Sequence, residues 1–226
     1  MKLSIIQSIF RWRCLLLLLS LVLLVLLYPT AGSGFRTGFL VLFLNSLTLV
    51  TASFTLTQHV KDMKLSMGLA ALQLTLALSA YLFQLKPLEV GAWVLFIIFY
   101  VFAIVHVLGY VARGQKVTAD KIFGGMSAYI MLAVAWAGIY RLMYEWNEEA
   151  FFVDPARNIP GLFGSPDLLY FSFITLTTLG YGDITPVAGY ARASAALESL
   201  TGLFFMAILV ARLVSLYRPA GMKEDQ

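Results

Sequence analysis

Six apolar runs, each about as long as a bilayer is thick, set the terms for this chain. Their approximate spans are 12–28, 38–57, 66–85, 91–111, 122–144 and 189–216. A helix rises about 1.5 Å per residue, so about 20 residues cross roughly 30 Å of hydrocarbon. The runs predict an all-α membrane protein with six transmembrane helices. Composition agrees: 60% of the residues are hydrophobic and 12% charged, where a soluble domain carries about 25% charged. The net charge of +4 comes from basic residues dispersed through loops, so no nucleic-acid partner is expected. Cys14 is the single cysteine, which excludes an intrachain disulfide. His59 and His106 lie too far apart in sequence to form metal-ligand spacing.

The first run also has the make-up of a signal peptide. Lys2, Arg11 and Arg13 precede a leucine core, and small residues follow Pro29. It is read here as a retained membrane helix. The second run carries Asn45, Ser46, Thr48, Thr51, Ser53, Thr55 and Thr57, whose polar groups can bond across helices or back to their own backbone as a packing face, or line a polar pathway. His59, Lys61, Asp62 and Lys64 are expected in the following loop, and Pro87 and Gly91 in a short connection. The fourth run has no basic residue in its interior, so it cannot sense voltage through a ladder of arginines. His106 is expected as a satisfied interhelical histidine. The polar stretch 113–121 then marks a boundary between a peripheral four-helix part, 1–121, and a second part, 122–226. Thr118 or Asp120 is the expected N-cap of the next helix. Residues 145–165 are expected as a surface loop whose carboxylates would raise the local cation concentration.

Between the last two long runs lies a shorter apolar stretch. Ser165 as N-cap, Pro166 and Asp167 predict a helix start, and the helix is expected to run to about Thr177. Twelve residues reach only about 18 Å, too short to span. Such a half-helix is tolerated where protein surrounds it, and its C-terminal end would aim partial negative charge inward. Thr177, Thr178, Leu179, Gly180, Tyr181, Gly182 and Asp183 come next. Glycine visits left-handed backbone angles at little cost. Gly180 and Gly182, alternating with Leu179 and Tyr181, can therefore turn successive carbonyls to one side. Four copies around an axis would stack rings of carbonyl oxygen that replace the water shell of a K⁺ ion. One copy per chain demands a homotetramer with cyclic symmetry.

Thr-Thr-Leu-Gly-Tyr-Gly-Asp, residues 177–183, resembles the pore signature of potassium channels, with Leu179 where valine is more usual. The likeness extends over about 122–217 and implies an outer helix, a pore helix, a filter and an inner helix. It implies K⁺ binding by Thr178, Leu179, Gly180 and Tyr181, with Gly182 completing the filter and Thr177 and Asp183 supporting it. Tyr170 and Phe171 resemble the family's aromatic cuff. Gly202 stands where the family often carries a hinge glycine, with close packing as the other reading. Ile174 occupies a position where some bacterial members carry a glutamate that pairs with the filter aspartate, so that pair is not expected. About nine residues follow Tyr217, and no cytoplasmic ligand-binding domain is expected.

Glu198 is the one carboxylate inside a span, and three placements are open to it. It can bond behind the filter to Ser172 or a pore-helix threonine, face the cavity, or stay protonated as a structural donor. Lys and Arg counts place the termini in the cytoplasm, with 11 of the 16 basic residues inside and five outside. That arrangement puts the Tyr181–Asp183 end of the filter outward. No nucleophile–base pair or phosphate loop is present, so no enzyme activity is expected, and no cofactor beyond the permeant ion. The expectation is a K⁺ channel of the inner (plasma) membrane, embedded in lipid bilayer and not voltage-gated by arginines. A non-selective cation channel and a non-conducting membrane scaffold or sensor are the alternatives.

Overall fold

The computed structural model describes residues 12–28, 35–55, 60–113, 118–156 and 163–216. Its helices are α1 (Arg13–Leu27), α2 (Phe35–Thr55), α3 (Val60–Phe83), α4 (Lys86–Ala112), α5 (Ala119–Trp146), α6 (Ser165–Leu176) and α7 (Gly189–Leu216). Two short strands, β1 (Phe151–Val153) and β2 (Ile184–Pro186), pair antiparallel with Phe152 opposite Thr185. Among the described residues, Asp62–Phe83, Lys86–Ala112, Ala119–Trp146 and Gly189–Arg212 are long and apolar enough to cross a membrane. Arg13–Leu27 and Leu42–Thr55 are apolar but shorter.

α1 to α4 pack in sequence, and α5 of the same chain docks against α1 and α4. Their shared core runs through Leu17, Leu21, Leu49, Phe99, Tyr100, Val107, Met131 and Val134. Small residues on α5 permit the approach. A Cβ at Gly124 would stand 3.0 Å from Val111 and 3.3 Å from Cys14, and one at Gly138 would stand 3.1 Å from Phe96. Cys14 is fully buried filler at this contact. The hydroxyl-rich face of α2 is a packing face: Ser20 and Thr51 bond at 2.8 Å, Tyr100 donates to Thr48 at 3.3 Å, and Asn45 to Gln73 at 3.3 Å.

Several local expectations shift. α3 begins at Val60, so Lys61, Asp62 and Lys64 are helical; Thr57 and His59 lie outside the described residues. Pro87 sits in the first turn of α4, where its missing N–H costs nothing, and Gly91 lies within the helix. Asp62 comes within 3.8 Å of His106 Nε2, while His106 Nδ1 contacts the Phe102 carbonyl at 2.8 Å. The histidine is thus held between two helices. α5 starts at Ala119, capped by Thr118, so the boundary expected at 122 falls inside its first turn. The stretch expected as a surface loop after Trp146 instead carries β1, with Ala150 and Phe151 buried.

One end of the bundle is tied by polar groups. Asp120 accepts from the Cys14 backbone N–H at 3.0 Å and from the Tyr110 hydroxyl at 2.9 Å, with Arg13 Nε at 3.9 Å. The Arg13 guanidinium also lies 4.3 Å over the Tyr110 ring. Lys121 donates to the Arg113 carbonyl, and Arg212 to the Ala112 carbonyl at 3.0 Å. These cations close the C-terminal end of α4, where orphan carbonyls favour positive charge. Asp120→Ala would leave buried Arg13 beside no carboxylate, and is expected to lower unfolding stability by about 3 kcal/mol. The unfolding midpoint of purified protein in detergent measures this; an unchanged midpoint would deny the joint any structural weight.

Candidate functional site

α6 starts by a different device from the one expected. Gly164 is the N-cap: its N–H donates to Asp167 Oδ2 at 2.8 Å, and its carbonyl accepts from the Asp167 and Leu168 amides at 3.1 and 3.2 Å. Ser165 is the first helical residue and not the cap. Asp167 closes the turn from within, a capping-box arrangement without a cap side chain. Burial pushes its carboxyl above its ordinary value, against the pull of the Gly164 N–H.

The other end of α6 sets the geometry of the 177–183 segment. A helix end leaves its last four carbonyls without helical partners. Here all four accept. Phe173 O receives the Thr177 amide at 3.0 Å and its hydroxyl at 2.6 Å; Thr175 O receives the Thr178 amide at 3.0 Å. Ile174 O receives the Gly180 amide at 3.1 Å, and Leu176 O the Tyr129 hydroxyl at 3.3 Å. Ser199 Oγ lies 3.2 Å from Thr175 O as well. The negative end of α6 is therefore met first by protein donors. From there the backbone alternates in hand: Thr178 has φ +60°, Gly180 +52° and Gly182 +75°. The two glycines were legible in the sequence. Thr178 was not, because a left-handed threonine costs about 1–2 kcal/mol and has no sequence signal. It sits one residue past the cap, where a left-handed residue commonly ends a helix. Leu179 and Tyr181 are each 60% exposed in the single chain.

Behind α6 lies a buried polar cluster. Glu198 on α7 is fully buried, with the Tyr140 hydroxyl of α5 donating to its Oε2 at 2.5 Å and Ser172 Oγ of α6 lying 2.5 Å from its Oε1. Ser172 also donates to the Ala133 carbonyl on α5 at 2.7 Å. Glu198 thus stands behind the helix and not in an open cavity. Four residues along α7, Gly202 meets the end of α6: a Cβ there would stand 2.1 Å from the Leu176 carbonyl oxygen. The structure gives Gly202 a close-packing role. Gly125 makes the matching approach on α5, where a Cβ would stand 3.0 Å from Leu209.

At the opposite end of the 178–183 segment, the Tyr170 hydroxyl donates to Asp183 Oδ2 at 2.8 Å. The Asp183 carbonyl accepts the Asp154 amide at 2.9 Å, which joins the segment to β1. Phe171 points the other way. It is buried against Tyr140 at 5.0 Å and Phe151 at 5.5 Å, so Tyr170 and Phe171 do not share one surface. Tyr140, Tyr129, Ser199 and Phe151 hold the site without having been singled out in the sequence. Hydroxyls and rings on long helices carry no motif, and only the packing brings them to α6. Among the described residues no group of three or more His, Cys, Asp or Glu is arranged to hold a metal ion.

Gly202→Ala drives a methyl into the Leu176 carbonyl, which packing cannot absorb without moving a helix, so we expect a loss of about 1–3 kcal/mol and displacement of the end of α6. The unfolding midpoint reads the loss; a fully stable variant would contradict the contact. Burial, together with the Asp183 carboxylate, pushes the Tyr170 phenol up to about 12 from 10.0. A proton acid raised on folding contributes stability that is complete below the unfolded value and lost as pH rises through the folded one. The Tyr170–Asp183 contribution should therefore disappear between about pH 10 and 12. Tyr170→Phe should remove that alkaline component of a pH–stability curve, and a curve unchanged by the substitution would exclude it.

A family model described as "Ion channel" matches residues 128–218, which contain most of α5, all of α6, the 177–183 segment and α7. Protein LctB of Bacillus caldotenax is 30% identical over 101 residues, covering 44% of this chain and 75% of that protein. Protein LctB of Geobacillus stearothermophilus matches with the same identity and coverage. No solved structure matches. The matched region is the part in which a half-helix, a segment of alternating hand and two long apolar helices are joined through buried polar contacts, and by that likeness the chain belongs to the ion-channel family.

Proposed function

We propose that the protein is a K⁺-selective channel that passes K⁺ passively through a pore formed by four copies of the chain. The observation that carries this reading is the alternation of backbone hand at Thr178, Gly180 and Gly182. An alternating backbone can present successive carbonyls to one side, and rings of such carbonyls substitute for ion hydration. Ions are held by the carbonyls of Thr178, Leu179, Gly180 and Tyr181 and by the Thr178 hydroxyl. Gly182, Asp183, Thr177, Tyr170, Phe171, Ser172 and Glu198 support the filter. No cofactor is required beyond the permeant ion.

Assembly is supported by what one chain leaves uncovered. α7 exposes Leu203, Phe204, Ile208, Val210 and Val214, and an open apolar groove runs along Leu203, Met206, Ala207, Val210, Ala211 and Val214. In a homotetramer α7 lines the axis and packs on its neighbours. Six spans, with α1 and α2 as the shorter two, return both termini to the cytoplasmic face of the plasma membrane. Arg13, Ala112, Asp120 and Arg212 meet at one end of the bundle, and Glu89 and Arg141 pair near the other at 3.0 Å. That grouping agrees with the division made by the basic residues. The interior of α4 carries no arginine or lysine, so gating is not steeply voltage-dependent.

The test is the reversal potential of purified protein in planar bilayers under opposed K⁺ and Na⁺ gradients. We expect reversal near the K⁺ equilibrium value and loss of selectivity in Gly180→Ala, because an added Cβ disfavours φ +52°. Reversal midway between the two ions would make the pore a non-selective cation channel. Silence under every condition, with folded protein, would favour a non-conducting scaffold.

A further inference from the structure

The contacts around Glu198 contain one proton fewer than they need if the side chain is a carboxylate. The Tyr140 hydroxyl has one proton, and it goes to Glu198 Oε2. The Ser172 hydroxyl also has one proton, but two oxygens lie within bonding distance: the Ala133 carbonyl at 2.7 Å and Glu198 Oε1 at 2.5 Å. A carbonyl can only accept. If Ser172 donates to Ala133, the proton between Ser172 and Glu198 has to belong to Glu198. A charged carboxylate would also lack a counter-ion. Glu198 is fully buried, and none of the ion pairs among the described residues includes it. The groups that face its carboxyl are Tyr140 from α5 and Ser172 from α6. On its own helix, Thr201 bonds the Glu198 backbone carbonyl at 2.7 Å. Tyr129, the other tyrosine of α5 near this site, is committed to the Leu176 carbonyl. An isolated ionised carboxylate is far costlier to bury than a neutral acid with all its bonds made.

We infer that Glu198 is held as the neutral acid and acts as a donor. The chain of bonds then has one direction: Tyr140 O–H to Glu198 Oε2, Glu198 Oε1–H to Ser172 Oγ, and Ser172 O–H to the Ala133 carbonyl. Every hydroxyl donates once and no proton is shared. The relay begins and ends on α5 and passes through α7 and α6, so it locks the half-helix against both neighbouring spans. Ionisation of Glu198 would pull the Ser172 proton off Ala133 and break the tie between α6 and α5. Glu198 is thus a positioning residue for the proposed filter, through Ser172. Its effect on permeation rests on the channel reading; its protonation does not.

The experiment is infrared difference spectroscopy of the purified full chain in lipid vesicles at neutral pH, comparing wild type with Glu198→Gln and Tyr140→Phe. A protonated-carboxyl C=O band is expected in wild type, absent in E198Q and shifted in Y140F, where the hydrogen bond to Oε2 is gone. Glutamine can accept from Tyr140 and donate to Ser172 as the neutral acid does, with one further N–H, and it cannot ionise. E198Q should therefore lack the loss of flux expected of wild type when Glu198 ionises. If no protonated band is lost in E198Q or shifted in Y140F, Glu198 is ionised and the inference fails. Should E198Q not fold, the Y140F shift alone decides the matter in folded protein. Absence of K⁺ flux in wild type would count against the channel reading and leave the infrared result standing.

Discussion

A helix that stops in the middle of a membrane protein must find partners for its last carbonyls inside the protein, and the pore half of this chain is arranged around that requirement. In water the end of α6 could fray. At membrane depth an unsatisfied carbonyl costs several kcal/mol, and the four carbonyls Phe173–Leu176 are met by amides of the 177–180 segment, by Tyr129 from α5 and by Ser199 from α7. The same bonds determine how the chain leaves the helix. Folding the Thr178 and Gly180 amides back onto α6 forces the left-handed angle at Thr178 and begins the alternation that continues through Gly180 and Gly182. The alternation is thus as much a consequence of terminating a helix as a property of two glycines.

The second constraint is that α6 must be held from outside, because a twelve-residue helix brings little packing of its own. Three contacts do this at three depths. Gly202 lets α7 touch the Leu176 carbonyl, Glu198 joins Tyr140 to Ser172, and beside the β1–β2 pair the Asp183 carbonyl accepts the Asp154 amide. α5 takes part in the second of these and also forms one wall of the peripheral bundle. α5 therefore contacts α1 and α4 on one side and α6 on the other. The Asp120 joint and the Arg212 bond to Ala112 tie that bundle to the starts and ends of the pore helices.

Much of the fold was legible because hydrophobic length is a strong signal. The positions of α4, α5 and α7 follow from their apolar runs, and α6 from a run too short to span. Ends were less legible, for local reasons. Pro87 reads as a turn in sequence but suits the first turn of a helix equally well. Ser165 reads as a cap, yet Gly164 serves because Asp167 can reach its amide. β1 was hidden because a three-residue strand has no periodicity. It exists only because Phe151 is buried against Phe171 and Tyr140 and its backbone finds a partner in β2.

The sequence by itself determined that the chain is a helical membrane protein with a half-helix leading into a glycine-alternating segment. Apolar length and glycine's backbone freedom are properties of residues, and they hold in any context. Only the tertiary structure decided that Gly202 packs against a carbonyl, that Phe171 and Tyr170 face apart, and that Glu198 meets Tyr140 and Ser172 together. These depend on the azimuth of one helix against another. Azimuth is set by the summed packing of side chains distant in sequence, and no local pattern records it.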